Sequence, residues 1–205
     1  MNALRLLAAT CLALAATPAL SQGFPNKAVH VIVPFTPGSA SDVVGRAVSE
    51  TLAELWGQPV IVENRPGAGG SIGSLAVVRA APDGYTLLAN SRAHAANPAI
   101  YAKLPYDTLK DFTNLSPLAG QANVLIVGPQ TGFRSLEQFI AAAKAKPGGL
   151  NFSSAGIGSG THLNLEQFKL MAGVDVTHVP YKGTPEAIAD TIAGRVCCYF
   201  SPLAS

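Results

Sequence analysis

The sequence has no surplus of either charge: 14 lysines and arginines stand against 12 acids, and charged residues make up only 13% of 205. Such a balance produces no extended field, so neither nucleic acid nor an anionic membrane surface is an expected partner. Cysteine is scarce as well. Of three, Cys11 lies in the N-terminal apolar run, while Cys197 and Cys198 are neighbours in a strand-like segment. Adjacent cysteines rarely bridge each other, so the expectation is two small core residues, with no disulfide and no metal. His30, His94 and His178 are scattered singly without Cys, Asp or Glu at ligand spacing, which gives zinc no support. The apolar run Leu6 to Ala16 falls well short of the roughly 18 residues that span a bilayer. With Arg5 before it and Ala19-Leu20-Ser21 ahead of Gln22, residues 1–21 read as a secretory signal peptide. Cys11 is not placed directly after the cleavage site, so no lipid anchor is expected.

Two catalytic or cofactor signatures fail on inspection. Gly67-Ala68-Gly69 lacks the third glycine of a dinucleotide fingerprint, and no acid ends the following strand to hold a ribose. Ser159 has Ile157 two residues before it, where a hydrolase elbow needs glycine. His162 could still be read as a base for Ser159, but no acid is placed to complete a triad. A histidine that caps a helix or orients a ligand is the alternative.

What the sequence does contain is an alternation of short apolar runs with amphipathic stretches, the pattern of an α/β protein with a mostly parallel sheet. Val29–Val33, Pro59–Glu63 and Tyr85–Leu88 read as strands. Helices are expected from Val43 to Trp56, stopped by Gly57, and from Ser71 to about Ala80. Around Asn97 to Leu118 the periodicity weakens and Pro98, Pro105 and Pro117 recur, marking a crossover with a short helix near its start. A second α/β unit follows: strands at Asn123–Val127, Phe152–Ser154, Val174–His178 and Val196–Phe200. Its helices run from Ser135, with Gln138 completing a capping box, to about Lys146, from His162 to Ala172, and from Pro185 to Ala193 with Thr184 as N-cap. The division expected is 22–102 for a first lobe and 103–205 for a second, incomplete one.

In open α/β sheets ligands bind beyond the carboxyl ends of strands, where helix N-termini present unpaired N–H groups. Three loops occupy such places. Thr36 to Asp42 offers Ser39, Ala40, Ser41 and Asp42; Ser41 or Asp42 would cap the helix that follows. Ser154 to His162 offers Ser154, Gly158, Ser159, Thr161 and His162 as a cradle for a carboxylate. Tyr181 and Lys182, after the strand ending at His178, could bring a phenol and a cation to the same sheet edge.

The strings Val31-Ile32-Val33-Pro34-Phe35, Glu63-Asn64-Arg65-Pro66-Gly67-Ala68-Gly69-Gly70, Ala81-Pro82-Asp83-Gly84-Tyr85-Thr86-Leu87, Leu104-Pro105-Tyr106-Asp107 and His178-Val179-Pro180-Tyr181-Lys182-Gly183 occur in that order. Together, from about Phe24 onward, the chain resembles the Bug family, the extracytoplasmic receptors of tripartite tricarboxylate transporters. The resemblance implies a periplasmic-binding-protein-like, two-lobed Venus flytrap in the periplasm. It would close on a small carboxylate, such as a tricarboxylate, a dicarboxylate, an amino acid or an aromatic acid, deliver it to membrane subunits, use no cofactor and perform no catalysis. It further implies that the first and third loops hold the ligand. Ser39 and Ala40 stand where that family usually has glycines, which alters the backbone freedom of the first loop. Members of the family are longer, so the second lobe is expected to lack its return to the first, leaving apolar surface exposed and the chain marginally stable. A secreted esterase or amidase using Ser159 and His162, and a ligand-sensing module for a membrane sensor, are the competing readings.

Overall fold

The computed structural model describes residues 23–204; the expected signal peptide, with Cys11, lies outside them. β1 (Val29–Val33) is apolar but for His30 and is central in a three-stranded parallel sheet of order β2-β1-β3, between β2 (Val60–Asn64) and β3 (Thr86–Leu88). Val31 lies beside Val62 on one side and Leu87 on the other. A strand paired on both edges and covered on both faces needs this composition. α1 (Ala40–Trp56) runs between β1 and β2 and ends where Gly57 takes the left-handed conformation, φ 62°, and donates to Ala53 O. α2 (Ser71–Val78) follows a 3-10 turn at Ala68–Gly70, and α3 (Ala93–Ile100) opens the long connection.

The second sheet has the order β4-β7-β5-β6, built from β4 (Asn123–Val127), β5 (Asn151–Ser154), β6 (Thr177–Pro180) and β7 (Cys198–Pro202). β5 runs parallel to both neighbours, and β4 runs antiparallel to β7. α4 (Leu136–Ala145), α5 (Gly160–Ala172) and α6 (Thr184–Ile192) cover it. Its core is substantial: Phe139, Phe152, Leu165, Val174 and Val176 pack with Phe133, Phe168 and Phe200. The core of the first sheet is much smaller, centred on Val31, Val33 and Ala89. Along that lobe runs an open groove of about 1290 Å³ that reaches Val44, Val48, Leu52 and Trp56 of α1 and Val77 of α2.

Several expected boundaries move. The Ser135 hydroxyl accepts from Gln138 N as expected, but the Gln138 side chain accepts from Arg134 N, one residue ahead of the cap. α5 starts two residues before His162, and the N-cap of α6 is Gly183 rather than Thr184. β6 and β7 each begin later than expected because Val174, Val176 and Val196 are buried as loop residues, without ladder partners. The structure also joins the sulfurs of Cys197 and Cys198, against the expectation of two free thiols. Cys197 lies in the bend before β7, so the alternation that would send neighbouring side chains to opposite faces has not begun, and both enter one core cluster.

Candidate functional site between the lobes

The first loop is shaped around Asp42. Ser39, not Ser41 or Asp42, caps α1: its hydroxyl accepts from Asp42 N at 3.4 Å, and the residue is only 3% exposed. The Asp42 carboxylate turns back on the loop, accepting from Gly38 N (2.9 Å), Arg46 Nε (3.0 Å) and Asn64 Nδ2 (2.7 Å). Burial alone would push this carboxyl up; the hydrogen bonds from Arg46, Gly38 and Asn64 outweigh it and hold it below the usual carboxylate range. With its oxygens so engaged, Asp42 fixes the loop, while Ser39, Ala40 and Ser41 face the groove.

The third loop has a similar internal frame. Ser159 caps α5, its hydroxyl accepting from His162 N (3.2 Å) and sharing a hydrogen bond with Thr161 Oγ1 (3.1 Å). Thr161 Oγ1 also accepts from Ala155 N at 2.9 Å. The His162 ring does not bond the Ser159 hydroxyl; its Nδ1 accepts from Gly158 N (3.2 Å), and its Nε2 faces Glu166 at 3.8 Å. An acid is therefore near the imidazole after all, four residues on along α5, although the nucleophile–base contact a hydrolase requires is not made. The ring stacks on His178, centroids 4.3 Å apart, and His178 Nε2 meets Ser154 Oγ at 2.6 Å. Burial, then the neighbouring His162, lowers His178 to about 4, so its ring is neutral at neutral pH, and burial lowers His162 as well. Ser154, Gly158 and His162 thus form the scaffold of this loop, and Ser159 and Thr161 line the groove with Thr184.

Tyr181 and Lys182 do not join that set. They line a separate cavity of about 320 Å³ with Phe35, Tyr101 and the backbone of Gly67 to Gly70 and Ala155 to Ile157. Gly67 to Gly70 all have positive φ, Ala68 at 45° included, a strained turn that lays bare backbone along the cavity wall. The Tyr181 hydroxyl donates to Asp190 at 2.6 Å and, through burial first and this bond second, its pKa is pushed up to about 12. Lys182 is exposed and makes no ion pair among the described residues. Phe35 and Ala155 border both spaces.

Sequence reasoning missed the residues that cross between lobes. Arg92, at the N-cap of α3, donates through Nη2 to Gly160 O (2.6 Å) and also meets the Asn164 side-chain oxygen. Tyr101, at the other end of α3, donates its hydroxyl to Ile157 O at 2.9 Å. Between them Asn97 is fully buried, donating to Tyr106 OH at 3.2 Å. These residues sit in the weakly periodic stretch where no motif flags them.

Two α/β lobes, each presenting the loops at the carboxyl ends of its strands to the other, make up a periplasmic-binding-protein-like fold of the Venus flytrap class. The chain belongs to the tripartite tricarboxylate transporter receptor family, whose model matches residues 44–205. BugT of Bordetella pertussis is 38% identical over 202 residues, covering 96% of this chain and 62% of BugT. Among solved structures, R. palustris Rpa4515 with adipate has a TM-score of 0.80 at 32% identity, over 88% of this chain and 61% of that protein. MatC from Rhodopseudomonas palustris with bound malate has a TM-score of 0.80 at 33% identity, over 87% of this chain and 61% of that one. The chain spans about three fifths of the length of the curated relatives it matches, 58% of a Pseudomonas relative and 62% of BugT.

Proposed function

We propose that this protein is a periplasmic receptor that captures a small carboxylate between residues 22–102 and residues 103–205 and presents it to the membrane subunits of a tripartite tricarboxylate transporter. The observation that carries the reading is the placement of two helix caps, Ser39 on α1 and Ser159 on α5, from opposite lobes along one groove. Each brings a helix N-terminus with it, so backbone N–H groups, hydroxyls and two partial positive charges face a common space without a base–nucleophile pair. The adipate and malate bound by two solved relatives support a small dicarboxylate. In this reading Ser39, Ala40, Ser41, Ser159 and Thr161 approach the ligand, Asp42, Ser154, Gly158 and His162 position the loops, and Tyr181 with Lys182 serve the adjoining cavity. No cofactor takes part.

The test is calorimetric titration and thermal-shift screening of the signal-free chain against mono-, di- and tricarboxylates and amino acids. Saturable binding of one class, with a melting temperature that rises with ligand concentration, is expected, since only binding to the native state stabilises by mass action. No binding across the panel by a cooperatively folded sample overturns the reading.

A further inference from the structure

Among the described residues that line the groove carrying the two caps there is one permanent cation, and it belongs to neither loop. Arg92 lines the groove together with Ser39, Ser159, Gly160 and Thr161. Its Nη2 contacts are both neutral oxygens, the Gly160 carbonyl and the Asn164 amide, and no carboxylate pairs with it among the described residues. Asp111 is the one acid among the described residues along the groove, and it is turned to its own turn, accepting from Asp107 N at 2.7 Å. Burial lowers the pKa of His94, the other basic side chain that lines it. Arg92, exposed at the groove, therefore carries a full charge with no carboxylate paired to it among the described residues. A guanidinium has five N–H donors in a planar fork, and the two recorded contacts occupy one nitrogen. The Nε and Nη1 hydrogens remain as single donors, each able to meet a carboxylate oxygen in a charge-assisted hydrogen bond.

We propose that Arg92 is the residue by which this receptor distinguishes a carboxylate from a neutral ligand of the same shape, and that it does so while bridging the lobes. This rests on the receptor reading above. The guanidinium is already held across the cleft by Gly160 and Asn164, so little rotamer freedom remains to be lost when an anion arrives. An anion seated on it also removes an uncompensated charge from the lobe interface. The ligand's charge and the closed arrangement are in this way read by one side chain.

The experiment compares adipate and malate with their uncharged diamides, measured by calorimetry on the wild type and on the Arg92→Gln and Arg92→Lys variants of the full chain. Glutamine keeps an N–H donor for the Gly160 and Asn164 oxygens but has no charge, and lysine keeps the charge but not the fork. In the wild type the acids bind better than the diamides. That preference is expected to fall at least about tenfold in Arg92→Gln, the scale of one hydrogen bond to a charged group, and to survive in part in Arg92→Lys. A merely structural bridge would lower the affinities for acid and diamide together and leave their ratio intact. An unchanged ratio in a folded Arg92→Gln overturns the proposal and leaves the receptor reading standing. Should neither acid bind, the same comparison is made with whichever carboxylate of the wider panel does and with its amide; binding of none of them by a folded wild type overturns the receptor reading, and this proposal with it.

Discussion

His178 and Asp42 both titrate below the values they have in an unfolded chain, so both destabilise the fold as pH falls. For His178 the native value is about 4 against 6.5 unfolded, and the contribution of the neutral ring is complete above 6.5 and drains away as pH drops toward 4. Of the charged and titratable groups around it, His162 and Lys169 add to the lowering and Glu166 opposes it. The melting temperature should therefore fall across that window, and His178→Gln should flatten the fall; an unchanged slope in melts recorded from pH 7 to 4 would count against it. Asp42 adds a second loss only below the unfolded value of 3.8. At neutral pH Asp42→Ala leaves Gly38 N, Arg46 and Asn64 without their shared acceptor and should cost about 1–3 kcal/mol in urea unfolding. Ser159→Ala should cost about 1 kcal/mol as a lost cap and leave ester hydrolysis at the buffer background, as in the wild type.

At the scale of elements, most of the fold was legible in the sequence because the apolar periods are strong: β1 and β4 fall where Val29–Val33 and Asn123–Val127 place them, and Gly57 and Gly173 stop α1 and α5. The late starts of β6 and β7 share a cause. Val174, Val176 and Val196 report burial, and burial does not say whether a backbone is paired in a ladder. The candidate site was half legible. Loop hydroxyls could be picked by their position after strands, but that Asp42 is consumed by its own loop, or that Arg92 reaches Gly160 68 residues away, depends on contacts distant in sequence. Gly183 makes a further case. Its φ of −168° is ordinary extended backbone, yet a methyl group there would run into the Thr36 side chain of the opposite lobe, with Thr36 Cβ at 2.8 Å. Gly183→Ala should weaken carboxylate binding severalfold through the altered fit of α6 on the first loop, with far-ultraviolet dichroism unchanged.

The whole molecule is unequal. The second lobe closes around a core of phenylalanines, whereas the first has a small core beside an apolar groove, with Leu55 and Ile72 among its exposed side chains. Hydrogen exchange should accordingly be faster through β2 and β3 than through β5 and β7. Exposed apolar surface of this extent also favours self-association. Sedimentation of the signal-free chain should show a mass that rises with concentration, and a monomer at every concentration would contradict this. One last consequence follows from α3. Arg92 and Tyr101 grip the opposite lobe at Gly160 O and Ile157 O, which are main-chain atoms. A grip on main chain is indifferent to the side chains of the loop it holds. Substitutions at the loop's own side chains can therefore alter what it recognises and leave these two acceptors in place, whereas a change at Arg92 touches charge recognition and latch at once.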